Sequence, residues 1–131
     1  MRDQPLLTKL LILAMCLVRF ALAAYAWVDP PSLLAGLGAP PEANPQAPYI
    51  VRVWAIRDMV LAVLVIAARP QAIVPLLLGC IVIDSSDLLS AWLGDQAGLF
   101  ARPDTIALSA TAVAALGPEI VALGLIHRRQ T

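Results

Sequence analysis

The chain has 131 residues, 60% of them hydrophobic and only 14% charged, and its nine basic and nine acidic side chains give a formal net charge of zero. Ordinary soluble domains carry about 25% charged residues, so this chain has too little polar surface to cover itself in water. The basic residues stand mostly singly, which excludes the electrostatic footprint of a nucleic-acid binder.

The first apolar stretch covers about residues 6–28 and, at about 1.5 Å rise per residue, is long enough for the roughly 30 Å hydrocarbon layer. Its basic start at Arg2 and Lys9 and its Ala24-Tyr25-Ala26 segment also fit a cleaved signal peptide. Arg19 interrupts that apolar region, however, and Trp27 resembles the interfacial anchor of a retained helix, which is the reading adopted. Residues 29–48 form a Pro-rich loop containing Pro30, Pro31, Pro40, Pro41 and Pro45, with the apolar insert Leu33-Leu34-Ala35-Gly36-Leu37. Two readings of the insert are a lid over the bundle and a short interfacial helix that covers the first hairpin; the second is preferred.

Three further spans are expected at about 49–69, 72–93 and 105–126, with Pro48, Pro70 and Pro103 near their ends. Pro75 and Pro118 fall inside spans and are expected to distort the helices locally. In the last span Ala110, Ala114 and Gly117 share one stripe, which predicts tight packing there. The fold class is thus all-α, a single transmembrane domain over residues 1–131 built as an integral membrane four-helix bundle. Arg2, Lys9, Arg69, Arg128 and Arg129 lie on one side of such a bundle and Arg102 on the other, which places both the amino and carboxyl termini in the cytoplasm. The expected location is the bacterial cytoplasmic (inner) membrane. No internal repeat of the inverted-transporter kind is visible.

Charges inside the spans need a physical explanation, because each costs about 2.5 to 3.5 kcal/mol near the bilayer centre. They are Arg19, Arg52, Arg57, Asp58, Asp84, Asp87 and Glu119. By depth, Arg57, Asp58, Asp84 and Arg19 fall near the middle, and Asp87 and Arg52 further outward. Glu119 falls apart from them, toward the cytoplasm. Asp84 and Asp87 are three residues apart, about 60° around one helix face, and Ser85, Ser86 and Ser90 add hydroxyls to the same turns. Arg57 and Asp58 flank a sector containing Trp54 and Leu61, which is expected to face inward, whereas Arg52 can snorkel to the outer interface. Two carboxylates one turn apart repel, so a neighbouring arginine or a proton must complete the cluster.

The order of these features resembles an uncharacterised family of small four-span membrane proteins of bacteria and fungi. It is carried by Arg19 in the first span, Pro30 and Leu37-Gly38 in the loop, Arg57-Asp58 in the second span and Asp84 in the third, with Ala55 where that family's pattern has glycine. The resemblance extends over most of the chain. It implies the four-helix fold and no established activity.

A cavity for a lipophilic or amphipathic small molecule near the outer leaflet is the leading functional expectation. Arg57, Arg19, Trp54 and Ser85 would contact the ligand. Asp84, Asp87 and Asp58 are the candidates for cofactor-free acid–base chemistry of the isomerase or cyclase kind. No cofactor or metal is expected, because His127 stands beside Arg128 and Arg129, and neither Cys16 nor Cys80 belongs to a Cys-x-x-Cys pair. Partners would be the lipid bilayer, the small molecule and a second copy in a homo-oligomer. The alternatives are a non-catalytic membrane subunit or assembly factor that pairs through its intramembrane charges, and a proton relay through Asp58, Asp84, Asp87 and Glu119.

Overall fold

The computed structural model describes residues 5–39, 42 and 44–128, so the readings that fall on Arg2, Pro40, Pro41 and Arg129 lie outside the described residues. Five helices and no strand are present among them: α1 (Leu6–Val28), α2 (Pro30–Gly36), α3 (Ala47–Ala67), α4 (Pro70–Gln96) and α5 (Arg102–His127). Pro48, Pro70 and Pro103 each lie in the first turn of a helix, where the missing N–H has no intrahelical role. These three helices therefore begin two or three residues earlier than the expected spans. α3 ends at Ala67, two residues short of expectation, because Ala68 and Arg69 are extended ahead of Pro70. α4 and α5 run on through Pro75 and Pro118.

The Pro-rich loop holds α2, which packs on α1 and α3 as a short covering helix. Asp29 caps it, its carboxylate accepting from the Ser32 backbone N–H at 3.2 Å and from the Ser32 hydroxyl at 2.6 Å. Those two bonds hold the Asp29 carboxyl below the ordinary carboxylate range. Beyond α2, Gly38 has φ 69°, and a Cβ there would lie 2.8 Å from Asp104 Oδ2 at the start of α5. The loop thus reaches across the end of the bundle opposite the chain termini.

Buried positions repeat at spacings of three and four on every long helix: Ile12, Met15, Arg19, Ala23 and Ala26 on α1, and Ala55, Asp58, Ala62 and Val65 on α3. α4 buries Ile73, Leu77, Cys80 and Asp84, and α5 buries Ala112, Ala115, Glu119, Ala122 and Ile126. This is the seam pattern of helices that pack nearly parallel in a bundle. α1 is central, packing against α3 and α5, and α4 packs against α5. α3 and α4 touch sparingly although only Ala68 and Arg69 join them.

The expectation for α5 is corrected here. Ala110, Ala114 and Gly117 face outward, with nothing close to a Cβ placed on Gly117. The helix packs through the neighbouring stripe of Ala112, Ala115, Glu119 and Ala122. Small residues occur nearly all round α5, so their spacing does not select a face. The need to bury Glu119 against a cation does.

One apolar cluster, with Ile12, Met15, Cys16, Val65, Ile73, Leu77 and Ile126, draws all four long helices together in the half that carries the termini. A second one joins Ala23 and Ala26 of α1 to Ala55 of α3, with Leu33 of α2 and Trp54 packed against it. The outward faces are apolar as well, with Leu13 and Leu17, Val60 and Val63, Val82 and Leu89, and Val113 and Ile120 half-exposed or more. Three helices, α1, α4 and α5, are long and apolar enough to cross a membrane.

The alanine contact between α1 and α3 leaves no room for a larger side chain at Ala55, which is wholly buried. Ala55→Leu is expected to destabilise the bundle by about 1–3 kcal/mol, whereas Val63→Leu, on the exposed face, stays close to neutral. Reversible unfolding in mixed detergent micelles measures both.

Candidate functional site

Each long helix contributes one buried ionisable residue to a single layer, and in each case it lies three or four residues beyond the apolar cluster. On α1, Arg19 follows Cys16, and on α4, Asp84 follows Cys80; on the helices that run the other way, Asp58 precedes Ala62 and Glu119 precedes Ala122. The helical period that buries the apolar residues therefore also brings the four charges together.

Arg19 is the centre of this layer, with only 6% of its surface exposed. Its Nη2 donates to Asp84 Oδ2 at 2.6 Å and to Glu119 Oε1 at 3.0 Å, and its Nη1 donates to Asp58 Oδ1 at 3.3 Å. A planar guanidinium has enough donors, fixed in a fork, to serve three carboxyls from three directions. Arg57 extends the network sideways, donating from Nε to Asp58 Oδ1 at 3.2 Å and standing 3.7 Å from Asp87 Oδ2. That last pair is loose and open, with side-chain exposures of 42% and 43%, against 3% for Arg19.

Four carboxyls, Asp58, Asp84, Asp87 and Glu119, thus meet two guanidiniums. Fully ionised, the network carries two negative charges in excess. In a medium of low dielectric this excess has to be met by protons or by a cation from outside the chain. Glu119 Oε2 and Arg19 Nε are also buried without a hydrogen-bond partner.

Above the layer, away from the apolar cluster, a cavity of about 610 Å³ is lined by residues of all four long helices. Its floor is Arg19, Asp58, Asp84 and Asp87. The walls are mainly apolar: Val18 and Leu22 from α1, Trp54 from α3, Leu93 and Gly94 from α4, Leu108, Ala112 and Ala115 from α5. Leu99 and Phe100, in the connection between α4 and α5, line the far end, and the Phe100 ring lies so near Gly94 that a Cβ there would stand 2.7 Å from it. Ser90 and Thr111 complete the lining, but their hydroxyls donate to the carbonyls of Ser86 and Leu108 in their own helices.

The expected site residues Asp58, Asp84, Asp87, Arg19 and Trp54 therefore come together on one cavity. Three expectations are corrected. Glu119 does not stand apart from the cluster: although it lies nearer its end of the bundle, the long Arg19 side chain reaches it. Arg57 does not face the interior, because α3 buries the stripe of Ala55, Asp58 and Ala62 and leaves Trp54 and Leu61 half-buried beside it, so Arg57 stands at the rim. Ser85 is not on the cavity; it points to a shallow groove between α4 and α5 with Leu89, Trp92 and Ser109. Arg52 stays outside the cluster as expected, its Nε donating to the carbonyl of Trp27 at 3.3 Å. The clue to Glu119 was its three-and-four spacing with Ala112, Ala115, Ala122 and Ile126. Nothing in the sequence pointed to Phe100.

Removing Arg19 would leave three buried carboxyls without their shared donor. Arg19→Met is expected to cost about 3–5 kcal/mol of stability, and Arg19→Lys to recover only part, because a point charge cannot fork to three acceptors. Arg57→Gln, at the half-exposed rim, is expected to cost no more than about 1 kcal/mol. Unfolding midpoints of the three variants in one detergent check the order.

Comparison of the chain with family models, with curated proteins and with solved structures returns no match, so the site is interpreted from its own geometry.

Proposed function

We propose that this protein crosses the membrane four times, with both termini cytoplasmic, and binds an amphipathic small molecule in the cavity above the Arg19 layer. α3 carries Arg52, Arg57 and Asp58 close together and is not among the three helices that length and composition alone mark as able to cross a membrane. Even so, its 21 residues span about 31 Å, and its outward face of Val53, Ile56, Val60 and Val63 suits acyl chains. Lys9, Arg69 and Arg128 belong to the end with the termini and Arg102 to the other, which supports the orientation. The resemblance to the small four-span family fits the same architecture and is itself part of the proposal.

One observation carries the functional reading: a single cavity joins carboxyls at mid-bundle to apolar walls that run to the outer end. Concave apolar pockets with a few convergent polar groups are the general form of small-molecule sites. Toward the cytoplasmic end the space is filled by Ile12, Met15, Leu77 and Ile126. Access is therefore from the outer half, and a relay across the whole bilayer has no polar path through that cluster. The carboxyls that anchor the ligand are also the groups that would exchange protons with it, without a cofactor, in an isomerisation or cyclisation.

Ala112→Phe and Ala115→Phe fill the cavity from α5 and leave the charged layer untouched. The wild-type protein, purified in mild detergent, is expected to retain a small molecule detectable by native mass spectrometry, and the two variants are expected to lose it while keeping their helical content. A wild-type protein that retains nothing, or variants that retain the same mass, would refute the cavity reading. Orientation is tested separately by impermeant thiol labelling. Gln96→Cys should react from outside intact cells and Gln71→Cys only after permeabilisation.

A further inference from the structure

We infer that the molecule held in this cavity carries a positive charge, as an amine or quaternary ammonium on a lipophilic body, and that its cation lies against Asp87 and Asp58 in competition with Arg57. The inference rests on the cavity reading and adds the sign and class of the ligand.

Charge bookkeeping is the first ground. Among the described residues, the charged groups of the layer are Arg19 from α1, Arg57 and Asp58 from α3, Asp84 and Asp87 from α4 and Glu119 from α5, with the buried thiols of Cys16 and Cys80 beneath them on the side of the apolar cluster. Of these, three carboxyls and one guanidinium line the cavity. That guanidinium is already committed: both Arg19 terminal nitrogens donate to acids, and one of those acids, Glu119, lies behind the cavity floor. An anionic headgroup would meet carboxylates with no uncommitted cation inside the cavity. A cationic one would reduce the excess of two negative charges.

The weak contact at the rim is the second ground. Arg57 donates to Asp58, but it stands 3.7 Å from Asp87, beyond hydrogen-bond distance, and both side chains are about two-fifths exposed. Asp87 lines the cavity and Arg57 does not. A ligand cation on the cavity side can therefore take Asp87 while Arg57 keeps Asp58. The walls supply the third ground, since Trp54, one helical turn from Asp58 on α3, lines the same cavity. Aromatic faces attract desolvated ammonium groups and do nothing for an anion.

The test uses the full chain in a neutral detergent and three probes with the same alkyl chain: an alkyltrimethylammonium, the matching alkyl sulfate and the matching alcohol. Equilibrium binding is expected to rank the cation at least tenfold above the alcohol, with the sulfate weakest. Asp87→Asn should erase most of that preference. Arg57→Gln should strengthen cation binding severalfold by removing the competing guanidinium, a gain that a purely structural role would not produce. Ala115→Phe should abolish binding of all three. Equal or better binding of the alcohol or sulfate in the wild type overturns the charge assignment and leaves the cavity reading standing. A cation preference unchanged in both Asp87→Asn and Arg57→Gln overturns the assignment to these residues. Binding of all three probes undiminished by Ala115→Phe, or of none in the wild type, refutes the cavity reading itself.

Discussion

A single guanidinium bonded to a carboxyl on each of three other helices organises this molecule. Arg19 reaches Asp58, Asp84 and Glu119 within 3.3 Å, and in doing so it fixes the rotation of all four long helices and their relative depth. Apolar side chains cannot do this in hydrocarbon, where sliding or rotating a helix exchanges one greasy contact for another at little cost. Moving any acid away from Arg19 would instead leave a charge unpaired in a medium that does not solvate it. The layer therefore sets the register, and the apolar cluster on one side of it packs to that register.

The two sides of this layer are filled differently. Toward the termini, Ile12, Met15, Val65, Leu77 and Ile126 fill the space between helices. Away from them, the buried residues on α1, α3 and α5 shrink to alanine at positions 23, 26, 55, 112 and 115. Alanines on α1 and α3 bring those two helices close, but Ala112 and Ala115 on α5 face a gap that no larger side chain fills, and α3 and α4 separate. Size of side chain, distributed unevenly along the bundle, creates the cavity.

Much of this was legible in the residues. Four apolar stretches bounded by proline mark the helices to within about three residues at each end, and Pro48, Pro70 and Pro103 lie in the first turns, where a missing N–H costs little. Asp58, Asp84, Asp87, Arg19 and Trp54 could be placed together from depth and helical phase. What depth could not convey was reach. Glu119 lies closer to its end of α5 than Arg19 does to its end of α1, and only the length of the arginine side chain joins them. Phase also misled at Arg57 and on α5, since a helix with polar or small residues on several faces leaves the choice to its neighbours. The cavity itself was beyond the sequence, because an unfilled volume belongs to four helices at once and to no stretch of any one.

Centring the network on the first helix also has a consequence for biogenesis. α1 must enter the bilayer before any of its three acidic partners has been made, with Arg19 unsatisfied. Its mean hydropathy over the best window is 2.2, the highest of the three apolar helices, and its seven leucines offset a penalty of about 2.5–3.5 kcal/mol for that arginine. Each later helix brings an acid to a cation already waiting in the membrane. Glu119 arrives last, on α5, so the electrostatic core is complete only once α5 has joined the other three long helices. A nascent chain stalled before α5 would expose an incompletely neutralised arginine to the quality-control proteases of the membrane.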